Sequence, residues 1–167
     1  MEGVGELNVP GYRFAVRTAR MYWFTNPAGR SGWGFEIVTD EAFEVPPEDD
    51  EAWGQFPYPV QLTTEQEPIP LPEAEDLTGV DFSLPGPCRP GGGDYFLFTP
   101  IDSHPVSDVR IRFLERQGAR YRVELTGTWH EELSGPAEFH CLCWVQVDGR
   151  ESAQDAEPGA APDRGGL

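Results

Sequence analysis

Proline decides what this chain can build. Seventeen prolines are spread so evenly that the longest stretch without one is residues 106 to 135. Proline removes a backbone donor and breaks helix interiors. No stretch of the chain sets apolar residues three and four apart over a helix's length. Alternation with period two is easy to find instead, enriched in β-branched and aromatic residues. The expected fold is all-β and mostly antiparallel, either a β-sandwich or a partly open barrel of roughly seven to nine strands.

A chain of 167 residues suits one core and not two. The single domain is expected over residues 8–148. Residues 149–167 contain no aromatic or β-branched side chain and are rich in Gly, Ala, Pro and Asp. Such a tail cannot bury enough surface to order itself, so it is expected to be disordered.

The first strand reads from Tyr12 to Phe24, with Tyr12, Phe14, Val16, Tyr22 and Phe24 on one face and Arg13 and Arg17 on the other. The turn-forming run Asn26 to Gly32 joins it to a second strand, Trp33 to about Thr39. Shorter strands are expected around Tyr58 to Leu62, Val80 to Leu84 and Tyr95 to Thr99. The run Ile69-Pro70-Leu71-Pro72 reads as polyproline II. In the last strand, Phe139 to Val147, Cys141 to Val145 are apolar on both faces, which reads as a strand covered on both sides.

The best-defined element is a hairpin over Asp108 to Thr128. A three-residue loop, Arg116-Gln117-Gly118, would put glycine where a G1 bulge needs a left-handed residue. That register opposes Phe113 to Tyr121, Ile111 to Val123 and Val109 to Leu125, all on one apolar face. The polar face then pairs Arg110 with Glu124 and Arg112 with Arg122. Like charges directly opposed repel, so this face (Arg110, Arg112, Arg120, Arg122) calls for carboxylates from within the molecule or for an anionic ligand.

All twelve cationic side chains are arginine and none is lysine. Coding bias toward GC-rich codons explains that economically. The absence still excludes Schiff-base lysines, lysine-bound pyridoxal phosphate, P-loop lysines and the kinase strand lysine. The net charge of −17 argues against nucleic acid or anionic membrane as a partner. The first ten residues lack a basic n-region and an apolar h-region, and no run approaches the ~20 residues of a membrane span. A cytoplasmic location is expected. Cys88, Cys141 and Cys143 are odd in number and form no disulfide framework, so they read as free thiols.

Catalytic and metal motifs are thin. Gly91-Gly92-Gly93 leads into a strand-like run, not the helix a phosphate cradle needs. Cys141 and Cys143 would share a strand face while His140 points away, which disfavours a metal site completed by Cys88, His104 or His130. Gly29-Arg30-Ser31-Gly32-Trp33 misses the nucleophile-elbow pattern at its last position. No catalytic residue, metal or cofactor is assigned.

Charge distribution is more informative. Between Arg30 and Arg89 lie fourteen acidic residues and no basic one. The run Glu48, Asp49, Asp50, Glu51 abuts Trp53, Phe56 and Tyr58, pairing charge with aromatic anchors. The favoured expectation is a small non-catalytic binding protein that works through a protein–protein surface and docks or neutralises a basic partner. Immunity-like, adaptor-like and nucleic-acid-mimic proteins are concrete cases. The alternatives are an enzyme or small-ligand binder with a cavity in the β-fold, and a β-domain that associates with itself. The oligomeric state is left open.

Overall fold

The computed structural model describes residues 4–40, 60–64, 67–87, 96–99, 104–131 and 135–150. Its nine strands are β1 (Gly5–Val9), β2 (Tyr12–Thr25), β3 (Ser31–Thr39), β4 (Gln61–Thr64), β5 (Asp81–Pro87), β6 (Phe96–Thr99), β7 (His104–Gln117), β8 (Arg120–Glu131) and β9 (Gly135–Arg150). No helix occurs among the described residues, and so none long and apolar enough to cross a membrane. The strands reach from Gly5 to Arg150. The remaining tail, residues 151–167, lies outside the described residues.

All nine strands form one sheet in the order β5-β7-β6-β4-β3-β2-β1-β9-β8. β7, second in that order, also pairs with β8 at its far end, and the sheet curls around a single core without closing into a barrel. One seam stays thin: β6 and β7 meet over two residue pairs, Leu97↔Pro105 and Phe98↔His104, and Pro105 has no N–H to give. Nearly every pairing is antiparallel; the exception is a parallel contact where the end of β9 runs beside β2.

The interior is filled by one inward residue in two from each long strand. Leu7, Phe14, Met21, Phe35, Ile37, Leu62, Ile111, Phe113 and Leu125 are fully buried, each worth about 1.5–3 kcal/mol in apolar surface removed from water. The segment after β4 is packed down by aliphatic residues: Ile69, Leu71 and Leu77 are buried, and Ile69 exchanges both backbone hydrogen bonds with Trp33. The polyproline-like stretch is thus a strap over the β3 edge.

Two expectations of register and one of burial are corrected. In β2 the pairing with β3 slips at Arg17, between Val16 and Thr18. Phe14 and Val16 point inward before the slip, and Ala19 and Met21 after it. Tyr22 and Phe24 are therefore on the outer face, their rings over Gly34, and do not share a face with Phe14. In the hairpin the loop is the two residues Gly118 and Ala119, closed by Gln117↔Arg120. Gly118 does take the left-handed conformation, at φ 62°. A bulge at Leu114 absorbs one residue, so Phe113 faces Val123 and Arg116 faces Tyr121. Because the slide is by two residues, the apolar set stays inward. In β9, Phe139, Cys141, Cys143 and Val145 are buried, while Leu142 and Trp144 on the outer face are only half-buried. Arg120 of β8 lies over the Trp144 ring at 5.4 Å.

Candidate functional surfaces

The outer face of β5, β7, β8 and β9 carries a ladder of charges set by strand register. The true register puts Arg112 across from Glu124, not from Arg122. Arg112 Nη1 donates to Glu124 Oε1 at 2.8 Å, and His140 on β9 donates from Nε2 to Glu124 Oε2, also at 2.8 Å. Arg110 grips Asp81 of β5 with two donors, at 2.8 and 2.5 Å. Arg122 lies 3.8 Å from Glu115 and Arg116 3.9 Å from Asp76. Arg120 packs on Trp144. Of the carboxylates involved, Asp76 and Asp81 come from the acidic stretch between Arg30 and Arg89, and Glu115 and Glu124 belong to the hairpin itself.

These contacts show in the ionisation of the acids. The hydrogen bond from His140, followed by that from Arg112, holds the Glu124 carboxyl below its ordinary range against partial burial. The bond from Arg110 does the same for Asp81. Arginine pairing extends over the rest of the sheet: Arg20 bonds Glu36 at 2.9 Å and Asp148 at 3.2 Å, Arg30 grips Glu67, and Arg13 lies 3.9 Å from Glu6.

A shallow cleft of about 590 Å³ lies beside the ladder, lined by Asn8, Asp108, Thr126, Thr128, Glu138 and His140 among others. Asp108 sits at a second β7 irregularity, between Ser107 and Arg110, with φ 52°. It is the one non-glycine residue with positive φ among those described. Ser107 Oγ lies 2.5 Å from His130 Nε2 across to β8 and 3.4 Å from Asp108 Oδ2. No reading of adjacent residues could find this pair, because Ser107 and His130 are 23 positions apart and meet only through the strand pairing.

A second, more sheltered pocket of about 320 Å³ lies beside the β7–β8 turn. Met21, Trp33, Leu77, Tyr121 and Val147 line it, with Ala74, Glu75, Arg116, Ala119 and Asp148. Leu77 N–H donates to Tyr121 Oη at 3.0 Å, and Arg116 donates to the Glu75 carbonyl at 3.2 Å. Those two bonds hold the strap against the β7–β8 turn.

Cys141 and Cys143 do share the inner face, 3.8 Å apart and fully buried. Donation to Cys143, then burial, pushes the Cys141 thiol well above its usual range. Both are core groups, and His140 points away from them to Glu124. Among the described residues no three His, Cys, Asp or Glu side chains cluster as metal ligands do. Leu114, at the hairpin bulge, is the only large apolar side chain exposed there. Glu48, Asp49, Asp50, Glu51, Trp53, Phe56 and Tyr58 lie outside the described residues, as do Cys88 and the Gly91–Gly93 run.

No family model, curated protein or solved structure matches the chain.

Proposed function

We propose that this protein is a non-catalytic docking protein that binds a basic partner through its surplus of carboxylates, in the manner of an immunity or adaptor protein. The observation that carries the reading is where the cations go. Arg13, Arg20, Arg30, Arg110, Arg112, Arg116 and Arg122 each lie within 4.0 Å of a carboxylate of the same chain. The described residues hold 14 acidic side chains against 10 arginines, a net of −4. The other −13 of the chain's −17 therefore belongs to the remaining residues, above all the run from Glu41 to Glu51.

A charge concentrated in that way draws in a basic surface over a range of about 10 Å at 0.1 M salt. Aromatic groups such as Trp53, Phe56 and Tyr58 would then supply the desolvated contacts. The test is affinity capture from the native host with the full chain and with E48Q/D49N/D50N/E51Q. Basic proteins should be retained at about 0.05 M salt, released by about 0.5 M, and lost from the substituted chain. Retention that ignores both salt and substitution would sink the reading.

A second reading, a small-ligand or catalytic site, is favoured by one observation: next to Asp108 at the outer cleft, the Ser107 hydroxyl lies within hydrogen-bond reach of the His130 imidazole, as in activated nucleophiles. Labelling by a fluorophosphonate that disappears in S107A and H130A would support it. An unlabelled chain would remove it.

A further inference from the structure

We infer that the pocket between the 74–77 strap and the β7–β8 turn receives a lysine side chain of the basic partner; the inference rests on the docking reading above. Its volume of about 320 Å³ is at the low end of what small-molecule sites span, about 300–1,000 Å³, and suits one long side chain. Met21, Leu77 and Val147 offer aliphatic contact for a methylene stem, and Trp33 and Tyr121 add aromatic faces. Glu75 and Asp148 line the same pocket from exposed positions. An apolar floor under an acidic rim fits a side chain that buries its stem and keeps its ammonium near water.

Arg116 lines the pocket too, but its charge is already met. It donates to the carbonyls of Gly118 at 2.9 Å and Glu75 at 3.2 Å, lies 3.9 Å from Asp76, and stacks on Tyr121 at 5.3 Å. Asp148 shares the Arg20 guanidinium with Glu36. With Glu75, Asp76 and Asp148 set against Arg20 and Arg116, the rim stays net negative. The chain has no lysine of its own to occupy the site.

The test uses the full chain at low salt, with the Trp33 indole N–H and the Ala119 amide followed by NMR. N-acetyl-lysine N-methylamide should shift both resonances to saturation, and the norleucine counterpart should leave them in place. E75Q should weaken the lysine response by about two- to fivefold, the factor a rim ion pair is worth. A119W, a substitution at an exposed turn residue, should abolish it by filling the mouth. No response to the lysine probe overturns the inference, as does an equal response to norleucine or a stronger one to the arginine counterpart. Those failures leave the salt-dependent capture of a basic protein through residues 48–51 standing. If capture fails while the lysine probe binds, the docking reading falls instead.

Discussion

Glu124 accepts hydrogen bonds from two sides, from Arg112 on β7 and His140 on β9, and so ties three strands together on the outer face. Its carboxyl is held below the ordinary glutamate value of 4.5. A carboxyl whose value is lowered by folding contributes stability that is fully present above its unfolded value. That stability is lost as pH falls through the lowered folded value. Urea unfolding of E124Q should accordingly show a flatter decline in midpoint below pH 4.5 than the parent. A decline of equal steepness would mean that other carboxylates carry the acid sensitivity. Gly5 makes a different kind of demand. A Cβ there would stand 2.1 Å from the Leu142 carbonyl oxygen and 2.5 Å from the Cys143 Cα, so β1 could not keep its place against β9. G5A is expected to cost about 1–3 kcal/mol, the usual penalty of overpacking, read from chemical denaturation. Neither residue stands out in the sequence. Glu124 is one acid among 29 acidic residues, and its importance comes from neighbours on other strands.

The hairpin shows what alternation can and cannot specify. Period-two patterning identified β7 and β8 and their inward residues, because Val109, Ile111, Phe113, Tyr121, Val123 and Leu125 are all buried. It was blind to a slide of two, which keeps every side chain on its own face. The bulge at Leu114 and the two-residue turn decide that slide, and both depend on strand curvature, which no local pattern records. The difference matters chemically, since it replaces an Arg112–Arg122 clash by an Arg112–Glu124 bond. A double-mutant cycle separates the two registers. Coupling between R112A and E124A should be about 0.2–1 kcal/mol, and coupling between R112A and R122A should be near zero. In β2 a single slip at Arg17 reversed the face of Tyr22 and Phe24 for the same reason.

The whole molecule is a roll whose weakest join is β6 against β7, two residue pairs long and including a proline. Amide hydrogen exchange should therefore be fastest among the strands at β6. It should be slowest in β8 and β9, which are paired through twelve consecutive residue pairs. Slow exchange throughout β6 would show that the seam is tighter than its pairing suggests. All-β character and a single core were legible from proline placement and alternation. The order of strands in the sheet was not, since it depends on which distant strands meet. Both pockets were equally invisible. The smaller pocket gathers Met21, Trp33, Glu75, Tyr121 and Asp148, residues brought together by the fold alone.

The place of β9 bears on how the chain comes to be made. β1 can pair with β2 as soon as both emerge, since they are joined by a tight turn. Its other edge meets only β9, through Gly5↔Cys143 to Asn8↔His140. During synthesis that edge stands open until β9 has left the ribosome. An open edge is a template for wrong pairing, and contacts so distant in sequence close slowly. The β1 edge is therefore covered only after β9 emerges, long after β1 and β2 have paired.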